Sequence, residues 1–155
     1  MSSSLDRIDR AILDVLARDG RAPVTSVAAQ VGLSKTPCQV RIKRLEAEGY
    51  IKGYQAILNQ DKLDRAHIAF VEVKLASTTA AALDAFNKAA LTIPAIEQCH
   101  MIAGGFDYLL KVRTRDIQDY RHVLAEQISA LPQVAQTSTY VAMQTVKEPG
   151  GHAIT

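Results

Sequence analysis

No stretch narrows the possible folds of this chain as much as residues 31–51, VGLSKTPCQVRIKRLEAEGYI. Gly32 can end one helix in the left-handed conformation, and Ser34 can cap the next. Pro37 then falls in the first turn of that next helix, where its missing N–H costs nothing. On a wheel of about 100° per residue, Cys38, Ile42, Leu45 and Gly49 share one side. Thr36, Val40, Lys43 and Ala47 share the other, with Gln39 and Arg44 flanking them. One face is made to be buried, and the helix carries Lys35, Arg41, Lys43 and Arg44 with no acid before Glu46.

Upstream, Leu5, Ile8, Ile12, Val15 and Leu16 recur at helical spacing and Gly20 lies just beyond, which predicts a first helix over about residues 6–19. After GRAP, Thr25 can cap a short second helix that buries Val27, Ala28 and Val31. The third spans about residues 34–48 and stops at Gly49. Three helices, a tight Gly-Leu-Ser turn and an exposed basic third helix are what a helix-turn-helix requires. Thr36, Gln39, Val40, Lys43 and Arg44 then face base edges, with Gln suited to adenine and Lys or Arg to guanine. Ser34 opens the same surface, while Lys35 and Arg41 are better placed for phosphates, and the loop residue Arg21 is a further phosphate candidate. The plainer reading of such a helix is a solvated basic face. Alanine at Lys43 or Arg44 is expected to weaken specific binding by roughly 1–3 kcal/mol without unfolding the chain.

The formal charge of +2 hides an asymmetry: residues 1–53 carry nine Lys and Arg against six Asp and Glu, and residues 54–155 nine against ten. A basic excess confined to the first third fits a surface for double-stranded DNA. No apolar run approaches the roughly 18 residues that span a bilayer, and MSSSLDRIDR lacks a signal peptide's apolar core, so a cytoplasmic, nucleoid-associated protein without a membrane partner is expected. The four histidines and the two cysteines, Cys38 and Cys99, make no metal-ligand spacing, and both thiols are expected to be free and buried. No phosphate-binding loop, dinucleotide fingerprint or nucleophile elbow occurs, so neither an enzyme nor a bound cofactor or metal is expected.

Beyond the helical residues 1–53 the period changes from 3.6 to 2. Residues 54–66 begin YQAILNQDKL, which reads as a short strand and a polar linker. Residues 67–146 read as strand 67–75, helix 79–91, strand 97–103, strand 107–114, helix 117–130 and strand 134–143. Two amphipathic helices, with stripes Ala82, Leu83, Phe86, Ala90 and Ile117, Tyr120, Val123, Leu124, Ile128, can cover one face of a four-stranded antiparallel sheet. The other face mixes Ile68 and Phe70 with Glu72 and Lys74, and its apolar members point to a partner surface, most simply a second copy. Residues 147–155 have no periodicity and are expected to be mobile. In AGGFD, Gly104 and Gly105 can supply positive φ for a hairpin turn; alternatively, the exposed N–H groups of this turn and Asp107 can hold the carboxylate and ammonium of a free amino acid.

LDRIDRAILDVLARDGR, VGLSKTPCQVRIKRLEAEGYIKGY, EQCHMIAGGFDYLLKV and TYVAMQTVKE resemble, colinearly over about residues 5–148, the Lrp/AsnC family of leucine-responsive or feast/famine regulators. The resemblance implies an α+β chain: an N-terminal winged helix-turn-helix and a C-terminal βαββαβ domain of ferredoxin-like type, called RAM. It implies transcription regulation by homodimers that assemble into tetramers or octamers, with an amino acid bound between subunits. It further implies that Ala103, Gly104, Gly105, Phe106 and Asp107 contact the effector's amino and carboxylate groups. Met101, Ile117, Tyr140 and Ala142 then approach its side chain or transmit the response. The family's commoner GDFD is GGFD here, with Gly105 in place of the acid. Leucine, proline or another amino acid is the implied effector, and alanine at Asp107 is expected to abolish its effect while sparing DNA affinity. Two other classes share these features: an architectural DNA-binding protein without effector, marked by a steep salt dependence and little sequence preference, and an amino-acid-binding regulatory subunit of an enzyme.

Overall fold

In a computed structural model that describes residues 4–150, the helical spacing of the first third becomes α1 (Arg7–Arg18), α2 (Val24–Val31) and α3 (Lys35–Ala47). Ile12, Val15, Val27, Ala28, Cys38, Ile42 and Leu45 are buried together, so each helix turns its apolar stripe to the other two. Helix α1 begins in a reciprocal capping box: the Asp6 carboxylate accepts the Asp9 N–H at 2.7 Å, and the Asp9 carboxylate accepts the Asp6 N–H at 3.2 Å. Helix α2 is entered from Pro23, not from the expected cap Thr25. The fixed φ of −61° at Pro23 aims the chain into the helix, and its carbonyl accepts the Val27 N–H at 3.0 Å. Gly32 ends α2 at φ 75°, in the left-handed region that a Cβ disfavours.

A second compact unit comprises Leu58–Glu148, while Pro149 and Gly150 belong with the first. It contains β1 (His67–Leu75), α4 (Ala80–Ala90), β2 (Ile96–Met101), β3 (Tyr108–Thr114), α5 (Ile117–Val123) and β4 (Val134–Val141). The expected βαββαβ order is present, in an antiparallel sheet ordered β2-β3-β1-β4. Ala69, Val71, Val73, Leu75, Leu110 and Val112 pack on Phe86, Ala90, Tyr120, Val123 and Ile128, which places the core between the helices and one sheet face. The Phe86 and Tyr108 rings meet at 4.1 Å, and the Tyr108 hydroxyl donates to Asn87. Among the described residues, no helix is long and apolar enough to cross a membrane.

Several expectations need correction. Helix 117–130 is not uniformly α: a π turn over Leu124–Ile128 widens its end, with the Ser129 N–H on the Leu124 carbonyl at 2.9 Å and Ile128 buried. Ile117, at the open start of α5, is 43% exposed and lies outside the core stripe. Residues 54–58 form no strand, and Tyr54, Ile57 and Leu58 are exposed. Ile68 is buried within the chain, leaving Phe70 as the exposed apolar group of its pair. Cys38 is buried but Cys99, on the edge strand β2, is exposed. Gly104 and Gly105 do not take positive φ, so the turn does not use them for that freedom. Of the expected mobile tail, Glu148 reaches Arg113 at 3.8 Å, and residues 151–155 lie outside the described residues.

Candidate DNA-binding and ligand-binding sites

Helix α3 separates its faces as its sequence demands. Cys38, Ile42 and Leu45 are buried, while Ser34, Lys35, Thr36, Gln39, Val40 and Lys43 are exposed, Val40 at 62%. A valine left that open on a polar helix suits apolar contact with a thymine methyl group. Ser34 occupies the N-cap position, yet its hydroxyl makes no capping bond, which leaves it and the first N–H groups of α3 open to a phosphate.

Arg41 and Arg44 behave differently. Arg41 Nη1 donates to Asp6 at 2.6 Å and to Asp9 at 3.0 Å, and Arg44 Nη2 pairs with Asp9 at 2.5 Å. Their side chains are only 28% and 33% exposed, and Asp9 is fully buried. The two acids therefore cap α1 and clasp α3 at once. Arg41 and Arg44 are thus engaged with the acids of α1, whereas Thr36, Gln39, Val40 and Lys43 lie exposed on the helix. Arg21 is exposed, with its backbone N–H on Asp19 at 3.0 Å. Asp6 and Asp9 escaped the sequence reading, although an Asp at the N-cap and another three residues on is the signature of a capping box.

Burial pushes the Asp9 carboxyl up, but bonds from Arg44, Arg41 and the Asp6 N–H outweigh it and hold the group at about 2, against 3.8 when free. The Asp9 N–H and Arg41 likewise lower Asp6. A lowered carboxyl stabilises the fold fully above its unfolded value and loses that contribution as pH falls towards the folded one. The melting temperature of the full chain is expected to stay level from pH 7 to about 5 and to drop between about pH 4 and 2. The drop should shrink in Asp9→Asn; an identical acid profile in that variant would remove the clasp from the account.

The effector candidates form two groups. The Asp107 N–H donates to the Val73 carbonyl at 2.9 Å, and the Asp107 carboxylate accepts the Leu75 N–H at 2.7 Å. These bonds seat Ala103, Gly104, Gly105 and Phe106, with Met101 opposite Tyr108, at the Val73–Leu75 end of the sheet. Tyr140 lies opposite Phe70, the Ala142 N–H donates to the Ile68 carbonyl, and Ile117 starts α5 beyond Thr114, which pairs with His67. At about 3.3 Å per strand residue, Val73 and Ile68 are roughly 17 Å apart. Ala142 therefore lies towards the far end of β1 from the loop, whereas Tyr140, opposite Phe70, lies between the two.

Beside Gly105 and Phe106 opens a cleft of about 210 Å³ lined by Glu72, Lys74, Gln136 and Ser138. The register explains it: Glu72 faces Ser138 and Lys74 faces Gln136 on the sheet face away from the helices. A Cβ at Gly105 would meet nothing within 4 Å, so neither space nor backbone requires glycine there. The sequence showed Glu72 and Lys74 only as charges on a mixed face. That β4 carries Gln136 and Ser138 beside them depends on strand pairing.

A winged helix-turn-helix DNA-binding model matches residues 5–52, and an Lrp/AsnC ligand binding domain model matches residues 68–151. A proline dehydrogenase transcriptional activator of Rhizobium radiobacter is 58% identical over 96% of both chains. Its counterpart in Rhodobacter capsulatus is 51% identical, again over 96% of both. The leucine-responsive regulatory protein of Escherichia coli K12 is 45% identical over 93% of this chain and 88% of its own. Among solved structures, an AsnC family transcriptional regulator from Agrobacterium tumefaciens superposes with TM-score 0.89 at 32% identity, covering 94% of each chain. A Neisseria meningitidis transcriptional regulator in complex with L-Met also gives 0.89, at 26% identity and 94% coverage of each.

Proposed function

The chain belongs to the Lrp/AsnC family of DNA-binding transcription regulators, and on that premise we propose that it controls a gene of amino-acid breakdown, proline oxidation foremost, in response to a small amino acid. The observation that carries DNA reading is the exposed set Thr36, Gln39, Val40 and Lys43 on a helix clasped from behind. Gln39 suits adenine, Lys43 guanine and Val40 a thymine methyl, while Ser34 and Lys35 take phosphates. Activation of proline dehydrogenase, with proline as effector, is supported by the two activators so named that this chain matches end to end. The match to a leucine-responsive protein makes leucine the second candidate.

Assembly is supported by the separation of the two effector groups. A ligand that touches the Ala103 to Asp107 loop of one chain meets Ala142 from another, so homodimers, and tetramers or octamers built from them, form the complete site. Two recognition helices of a dimer read half-sites about 10 base pairs apart or a multiple of that. An amino acid alters this binding only by favouring one assembly or arrangement over another. The protein works in the cytoplasm on nucleoid DNA.

The test is selection of bound duplexes from a random pool, with and without the twenty amino acids. A pseudo-palindrome whose retention changes with the mixture, and with proline when the mixture is split, is the expected result. No enriched sequence, with affinity that falls steeply with salt, would replace the regulator with an architectural protein. On the enriched site, Lys43→Ala is expected to lose about tenfold in affinity, within the roughly 1–3 kcal/mol of a base contact, at an unchanged melting temperature. Equal affinity would remove Lys43 from the interface.

A further inference from the structure

We infer that a second cleft, at the Thr114 end of the sheet, binds a small phosphate monoester, its phosphate held by Arg65 and Arg115 against Arg113. This site is separate from that of the amino acid and does not rest on the effector reading. The cleft measures about 390 Å³, within the roughly 300–1,000 Å³ usual for a small organic ligand. Bonds between distant segments build it. The Arg113 N–H donates to the Ala95 carbonyl at 2.9 Å, which brings the segment before β2 to the end of β3. Arg113 Nη1 donates to the Arg65 carbonyl at 3.1 Å, which lays the segment before β1 along the same end. The Arg115 N–H donates to Asp119 at 3.0 Å and fixes the turn into α5. Asp119, Val123 and Gln127 form a wall on the helix side of the sheet, not on the face that carries Phe70, Glu72 and Lys74.

Three guanidinium groups border this volume, and of the acids only Asp119 does. Arg113 is the fixed member: its side chain is 8% exposed and its Nε donates to Glu97 at 2.6 Å. Among the described residues its Nη2 makes no hydrogen bond, the Glu148 carboxylate lying 3.8 Å away, so a buried cation keeps donors to spare at the cleft. The Arg65 side chain makes no ion pair among the described residues, and Arg115, 65% exposed, meets Asp119 only at 3.6 Å. With Lys111, which shares Glu97, the cations Arg65, Lys111, Arg113 and Arg115 outnumber the acids Glu97, Asp119 and Glu148 by one. A phosphate, with three acceptor oxygens and up to two charges, suits several planar forks at once, whereas a carboxylate fills one. The Thr114 hydroxyl is taken up by the Asp116 carbonyl, and Gln127, on the π turn, supplies a neutral donor. Leu63, Pro94, Ala95 and Val123 give the cleft apolar walls, which suit the organic part of a free ester and not a DNA strand.

The experiment is calorimetric titration of the full chain with phenyl phosphate, inorganic phosphate, benzoate and a short random-sequence DNA duplex. Phenyl phosphate is expected to bind at least tenfold more tightly than inorganic phosphate, which lacks the apolar part, and than benzoate, which lacks the third oxygen and the second charge. Arg65→Gln and Arg115→Gln alter exposed side chains and should melt like the parent. Each is expected to weaken phenyl phosphate at least fivefold while duplex affinity stays level. Undiminished phenyl phosphate binding in both variants would overturn the site, placing the anion elsewhere, as at the start of α3. Benzoate bound as tightly as phenyl phosphate would overturn the choice of phosphate. A parent that binds no phenyl phosphate overturns the inference outright, and a loss of duplex affinity in the variants would then make these arginines contacts of the DNA backbone.

Discussion

Replacing Arg41 and Arg44 together with alanine is expected to cost about 3–5 kcal/mol of folding stability, the range for a buried charge stripped of its partners. Asp9, fully buried in the parent and the third residue of the α1 capping box, loses both guanidinium partners in the variant. Urea unfolding followed by helical circular dichroism measures the loss. A midpoint equal to the parent's would mean that the two ion pairs hold nothing. Arg44→Ala alone is therefore expected to depart from the sequence expectation by lowering stability, whereas Lys43→Ala is expected to leave stability unchanged. Comparing the two separates a side chain that reads DNA from one that presents the helix that reads it.

Asp107→Ala and Asp107→Asn are expected to part company. Alanine removes the acceptor of the Leu75 N–H at a position where Leu75 is 6% exposed, which costs about 1–3 kcal/mol and frees the loop from β1. Amino-acid binding should fall with it. Asparagine keeps an oxygen that accepts the same N–H and should preserve both the melting temperature and most of the binding. Thermal melts and calorimetry on the two variants decide the matter. If asparagine abolishes binding as completely as alanine does, the Asp107 charge contacts the ligand directly, as the resemblance implied, and its bond to Leu75 is incidental.

How much of this was legible in advance varies residue by residue. Cys38, Ile42 and Leu45 were assigned to the core and Thr36, Val40 and Lys43 to solvent from spacing alone, and each lies where expected. The same wheel grouped Arg44 with the outward set, because a wheel shows direction but not which groups lie across from it. The acids that hold Arg41 and Arg44 sit 32 or more residues earlier in the chain. Ile117 continues the apolar stripe of its helix yet lies in the open first turn. Cys99 looked like a core thiol until its strand proved to be the sheet's edge. At Gly104 and Gly105 the doublet suggested a tight turn of positive φ, but the bonds of Asp107 to β1 shape the loop instead.

The sequence by itself determined three helices with one basic outward face, the βαββαβ order, the apolar stripe of α3, and the kinship with amino-acid-responsive regulators. These follow from periodicity, capping and turn chemistry, each set by neighbours a few residues apart. Tertiary structure alone decided which cations are paired with the acids of α1, that Asp107 is tied to β1, and that Glu72 and Lys74 share a cleft with Gln136 and Ser138. Those depend on ion pairs and strand register between segments far apart in the chain, where a shift of one residue turns every side chain to the other face.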